Sequence, residues 1–165
     1  MPAIVKEGKV SDERERARVI TLIALFRETA GLMVEELVER LHVAGYDDHT
    51  AAHHPVFENI DPEGTRLTVL AARARMTHQS MGELVQTLER RGYLERRSDP
   101  SDGRATLVLL TRHGRQAARQ AIAEIAEIEA AWLERFRRAD LDVDLRAVLE
   151  AALRERQAER KPPIG

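Results

Sequence analysis

Between Thr77 and Arg90 the chain carries hydroxyl, imidazole, amide, carboxylate and guanidinium groups in a pattern that can read the edges of base pairs. Met81, Leu84, Val85 and Leu88 recur at helical spacing and predict a helix buried along that stripe. Gln79, Glu83, Gln86 and Arg90 then fall on the opposite face, with His78 and Ser80 flanking its N-terminal half. Thr77 is placed to cap the first amides. The major groove of duplex DNA is wide enough to admit a helix, and such side chains match its donors and acceptors. Gln79 is the first choice for a direct base contact.

The neighbouring residues supply what must hold that helix. Thr68 is expected to cap a shorter helix through Val69, Leu70, Ala71 and Arg73, with a break near Ala74 to Met76. Gly92 should end the second helix as a C′ glycine. Tyr93 to Ser98 and Ala105 to Leu110 then read as two strands joined by the turn formers Asp99, Pro100, Ser101, Asp102 and Gly103. Arg96, Arg97 and Arg104 surround this hairpin. An arginine at its tip suits a narrow minor groove, where the negative potential is deepest, so Arg104 is expected to read shape, held by Asp102.

The order helix, helix, LERRGYLERR, DPSDGR, strand, LTRHGR resembles the winged helix-turn-helix of the MarR family of bacterial transcription regulators. Asp102 and Arg104 match the D-x-R motif of that family's wing, and the match spans about Ala44 to Gln120. Two departures stand out. Arg75 occupies a turn position where many relatives carry glycine, and Pro55 lies inside an expected helix from Thr50 to Asn59, which it should kink or restart. The implied fold class is mainly α with a small β-hairpin wing (α+β), a winged helix-turn-helix carried on long N- and C-terminal dimerisation helices.

Charge is distributed unevenly. The chain has a net charge of −2. Within Thr65 to Arg119, however, 11 basic residues face 5 acidic ones, leaving 15 basic and 23 acidic elsewhere. A basic reading head on an acidic body favours phosphate binding at one end of the molecule. At 165 residues the chain suits a single domain, and it contains no cysteine, which excludes disulfides and thiolate chemistry. No apolar run approaches the roughly 20 residues needed to span a bilayer, so a cytoplasmic protein without membrane contact is expected. Arginine outnumbers lysine 23 to 3, consistent with a GC-rich bacterial genome.

Outside the head the pattern is helical. A first helix is expected from Asp12 to Ala44, with Ile20, Ile23, Ala24, Met33, Val34, Leu37, Val38 and Leu41 on one stripe. Thr111 should cap another running to Arg138, striped by Ala118, Ala121, Ile122, Ile125, Ile128, Trp132 and Phe136. Asp140 or Asp142 should cap a last helix bearing Leu145, Val148, Leu149, Ala152 and Leu153. The expected organisation is a tail at 1–11, one domain at 12–160 with dimerisation helices at 12–46 and 111–160 around a DNA-binding head at 47–110, and a tail at 161–165. These stripes are too generous for a solitary small domain, although periodicity alone leaves packing within one chain open. The resemblance implies a homodimer with Trp132 and Phe136 at its interface and recognition helices about 34 Å apart on a palindrome. It also implies a small, possibly aromatic effector, with Phe26, His53 and Phe57 as pocket residues.

His49, His53 and His54 form the alternative constellation, a metal-responsive cluster. The segment HTAAH lacks the glutamate of the zinc-protease pattern, since Thr50 stands in its place, and no cysteine can complete a ligand set. Packing suits His53 better. No phosphate-cradling glycine loop, nucleophile elbow or paired acid and base points to an enzyme, and no cofactor is called for. A winged-helix protein-interaction module is the remaining alternative, against which the arginine-bearing wing argues. The sequence thus points to a double-stranded DNA-binding regulator, more often a repressor than an activator in such a family.

Overall fold

The computed structural model describes residues 21–159. Helix α1, Leu22–Val43, begins after Thr21, whose extended backbone and hydroxyl, accepting from the amide of Ala24 at 3.2 Å, make a regular N-cap. The expected start at Asp12 is therefore corrected: the helix containing Met33, Leu37 and Leu41 opens at Leu22, and 12–20 lie outside the described residues. The two tails, at 1–11 and 161–165, lie outside them as well.

A 3₁₀ turn at Ala51–His53 leads into α2, His54–Asn59, with Pro55 in the first turn, where its missing N–H costs no helical hydrogen bond. Pro55 thus restarts the predicted helix. The segment β1, Thr65–Arg66, comes next, followed at once by α3, Leu67–Arg73. Because β1 pairs with the hairpin up to Arg66, helix α3 starts one residue later and Arg66 takes the cap position without a side-chain cap bond. The expected cap at Thr68 is corrected accordingly: Thr68 lies exposed in the first helical turn.

Arg75, between α3 and α4, has φ +54°, a left-handed conformation that costs a side-chain-bearing residue about 1–2 kcal/mol. Helix α4, His78–Arg90, is capped by Thr77, which accepts from the Ser80 amide at 3.1 Å. Its other end is a Schellman closure. Gly92 at φ +76° lets its own amide reach Glu89 O and that of Tyr93 reach Leu88 O, each at 2.9 Å.

Strands β2, Leu94–Asp99, and β3, Asp102–Leu110, form the hairpin, and β1 adds to its other side in an antiparallel sheet of order β1-β3-β2. Helix α5, Arg112–Arg138, is capped by Thr111 as expected, the hydroxyl accepting from Gly114 N at 3.0 Å. The last helix, α6, spans Leu145–Glu159. Its cap is Asp144, which accepts from Ala147 N at 3.0 Å, and not Asp140 or Asp142. Asp140 instead closes α5, at φ +62°, and the chain needs the next residues to turn.

The core lies in two clusters. Val56, Leu70, Ala71, Met81, Val85, Leu88, Tyr93, Leu94, Val108 and Ala117 pack the head. Leu37 and Leu41 of α1 meet Ile128 of α5 in the second, with Trp132 against its edge. The mainly α architecture with a small antiparallel wing is as expected. Among the described residues no helix is long and apolar enough to cross a membrane.

Candidate nucleic-acid interface

Helix α4 separates its faces cleanly. Met81, Val85 and Leu88 are fully buried with Leu84 partly so, while Thr77, His78, Gln79, Glu83, Gln86 and Arg90 are exposed and Ser80 is half-buried at the cap. Burying four apolar side chains on one side leaves the other rigidly presented. The Gln79 amide donates to Glu83 at 3.2 Å, Arg90 reaches the Thr87 hydroxyl at 3.1 Å, and Thr77 donates to Ser80 Oγ at 2.8 Å. These exposed contacts are of the kind that exchange readily for base or phosphate partners.

The hairpin stands beside this face. A recess of about 270 Å³ between them is lined by Thr68, His78, Arg96 and Thr106 over Leu67 and Val108, bringing His78 and Arg96 to one groove. Arg96 pairs with Glu89 of α4 at 3.0 Å, and Arg97 with Glu95 at 2.6 Å. Both remain exposed, so the pairs hold them at little energetic cost. Arg104 lies on β3, one residue beyond the tip glycine, and its side chain lies outside the described residues. Asp102 stands 3.7 Å from Arg66. Arg73, counted with the basic head, is used internally: it reaches Asn59 O and Asp61, both at 2.9 Å.

Arg66 and Asp99 are the polar pair that local sequence signals could not reveal. The buried Asp99 carboxylate accepts from the Ser101 amide and hydroxyl at 2.8 and 2.6 Å and from Arg66 at 2.7 Å. The Ser101 donors, with Arg66 next, hold this carboxyl down at about 2. The strand that carries Arg66 is only two residues long and gave no alternating pattern to read.

Under the head, Asp48 accepts from the Tyr93 hydroxyl at 2.5 Å and lies 3.9 Å from Arg91, while Arg91 also binds the Asp48 carbonyl. Burial, then the Asp48 bond, pushes the Tyr93 phenol well above its ordinary value. His53 is buried, accepts from Thr50 N at 3.0 Å through Nδ1, and has its other nitrogen 3.4 Å from Arg91. Burial, then Arg91, lowers its pKa. This is the packing role expected for His53, and with both nitrogens engaged it is a poor metal ligand. The His49 and His53 rings stand edge to face, 5.5 Å apart, and among the described residues no group of three or more potential ligands is arranged to hold a metal ion. His49 Nδ1 is buried without a partner, and burial, with the neighbouring histidines, pushes its pKa down to about 4.

Between α1 and α5 lies a cavity of about 530 Å³, whose walls include Met33, Leu37, His49, Phe57, Ala121 and Ile125. Of the expected pocket residues only Phe57 lines it. Phe26, two turns earlier than Met33 on α1, is exposed and outside the cavity, and His53 is turned into the α2–α4 packing. Trp132 packs against α1, its indole N–H 3.4 Å from Glu36, and its ring meets that of Phe136 in a tilted contact with centroids 6.0 Å apart. Leu22, Ile23, Leu25, Phe26 and Leu32 of α1 and Val148, Leu149 and Leu153 of α6 are exposed.

The sequence of residues 48–105 matches the MarR family. No curated protein sequence matches the chain. Among solved structures, CouR from Rhodococcus jostii RHA1 bound to p-coumaroyl-CoA is 21% identical with TM-score 0.65, covering 87% of this chain and 94% of that one. The PcaV transcriptional regulator of Streptomyces coelicolor with its natural ligand is 24% identical, TM-score 0.59, covering 96% and 99%. MepR of S. aureus in complex with DNA is 19% identical, TM-score 0.63, covering 84% and 98%. At these identities the likeness is one of fold. It joins the long helices outside the matched segment to the same architecture.

Proposed function

We propose, from the match of residues 48–105 to the MarR family, that this chain is a homodimeric, sequence-specific DNA-binding transcription regulator, a repressor of a palindromic operator whose repression a small aromatic ligand relieves. The observation that carries the reading is α4 itself, fully buried along Met81, Val85 and Leu88 and exposed along Gln79, Glu83, Gln86 and Arg90, with the arginine-bearing hairpin beside it. A helix so divided offers a major groove its polar face at a fixed height. The hairpin then reaches the flanking minor groove through Arg104.

The dimer is supported by apolar side chains on α1 and α6 that nothing in the described chain covers, among them Ile23 at 81% and Leu153 at 61% exposure. A two-fold arrangement would bury these faces and repeat the reading head. The effector is supported by the open apolar cavity between α1 and α5, since its occupant would touch both the body and, through His49 and Phe57, the head. A ligand acts here only by preferring a half-site spacing that DNA does not accept. The CouR structure holds p-coumaroyl-CoA, that of PcaV its natural ligand and that of MepR DNA, in keeping with both halves of this reading.

Gln79→Ala tests it. A direct base contact makes the change cost about 1–3 kcal/mol and relax preference at one base pair in each half-site. Equal loss on every sequence would remove Gln79 from the reading face.

A further inference from the structure

We propose that Asp99 and Arg66 form a clamp that fixes the angle of the hairpin against the helix-turn-helix, which makes Asp99 a positioning residue for the wing's contact with DNA. The inference rests on the DNA-binding reading above.

Asp99 ends β2 at the base of the tip and is 6% exposed. One oxygen, Oδ1, accepts from the amide and hydroxyl of Ser101 at 2.8 and 2.6 Å, which closes the turn locally. Its other oxygen, Oδ2, takes Arg66 Nε at 2.7 Å and Nη2 at 2.6 Å. Only the second set leaves the hairpin. Arg66 belongs to β1, opposite Leu107 of β3, and the chain passes from it directly into α3, which packs on α4. The carboxylate therefore ties the tip to the element that sets the recognition helix.

The tip needs such a tie. The ladder between β2 and β3 slips between Ser98 and Asp99, so regular pairing stops holding the outermost residues at that point. Past that slip come Asp102, 3.7 Å from Arg66, and then Arg104. A paired charge at a nearly buried site is also expensive to break, because removing either partner strands the other. Arg66, counted by sequence among the phosphate-binding cations, is thereby assigned to orientation.

The test uses the full chain and two duplexes with identical half-sites, one flanked by A·T-rich and one by G·C-rich steps. Asp99→Asn keeps an acceptor for Ser101 and removes the charge pair. Arg66→Gln removes it from the other side at a side chain that is 39% exposed, and keeps an amide donor for Asp99. Each variant is expected to lose about tenfold of the preference for the A·T flank, the shape-dependent part of recognition, while base preference under α4 persists. Arg104→Ala should lose the same preference, and adding Asp99→Asn to it should remove nothing more. Partial recovery in Arg66→Lys would further separate orientation from bulk stability.

Retention of the flank preference by Asp99→Asn and Arg66→Gln overturns the clamp. So does equal weakening on both duplexes by Arg66→Gln with Asp99→Asn silent, which would make Arg66 a phosphate ligand. Wild-type protein indifferent to every duplex overturns the DNA-binding reading and the clamp together, a result distinct from the other two.

Discussion

Gly114→Ala strikes the joint between the reading head and the long helix α5. A Cβ built there falls 2.1 Å from the Tyr93 carbonyl oxygen, 3.0 Å from its carbon and 3.2 Å from Leu110 Cδ2. An ordinary contact of about 3.2–3.5 Å would require the two backbones to part by roughly 1 Å, and cores resist such insertion by about 1–3 kcal/mol. The same carbonyl accepts from Thr111 N at 2.9 Å, and the Thr111 hydroxyl is 2.5 Å from Gly92 O. Losing good geometry in one of these adds about 1 kcal/mol. The expected total is near 3 kcal/mol, or on the order of 6–12 °C in melting temperature for a chain of this length. Urea denaturation followed by helix circular dichroism, at fixed protein concentration, measures it. Gly103→Ala, with nothing within 4 Å of its new Cβ, is the control and should stay within about 0.5 kcal/mol. A Gly114→Ala variant as stable as wild type would refute the claim that this close approach sets the joint.

Three further outcomes follow from the same geometry. His49, held at about 4 in the fold against an ordinary 6.5, binds its proton more readily when unfolded, so stability should fall by about 2 kcal/mol between pH 7.5 and pH 5; His49→Leu should remove most of that slope, and a urea midpoint indifferent to pH would contradict the assignment. Arg75→Gly relieves the left-handed backbone at φ +54° and, after the added chain entropy, should gain about 0.5–1 kcal/mol in the same denaturation assay, whereas a loss would mean the arginine side chain stabilises the turn. Leu149→Glu combined with Leu153→Glu, both on exposed positions of α6, should leave helix content unchanged and weaken self-association at least about tenfold by sedimentation; undisturbed dimers would move the interface elsewhere.

Helix α4 was legible because its signals are local and agree: Thr77 opens it, Met81, Leu84, Val85 and Leu88 face one way, and Gly92 closes it. Pro55 was legible for the same reason, since a proline's missing amide leaves few places in a helix. What depended on distant partners was not. Strand β1 exists through its pairing with Leu107 and Val108, and missing it put the cap of α3 on Thr68. Three aspartates between Asp140 and Asp144 are equal by sequence, and the path of the chain out of α5 selects Asp144. Counting charge located the basic head but could not tell that Arg66 and Arg73 are tied to Asp99 and Asp61. Placement around the cavity between α1 and α5 likewise depends on distant packing: Phe57 lines it, Phe26 is exposed outside its lining, and His53 is held by Thr50 and Arg91.

The central claim, that α4 and the hairpin together grip duplex DNA, is tested most directly by selecting bound sequences from a random duplex pool at low ionic strength. The account predicts enrichment of a palindrome with half-sites about 10 base pairs apart, one turn of the duplex, and A·T-rich flanks under the wings. A pool that emerges without sequence preference would contradict it.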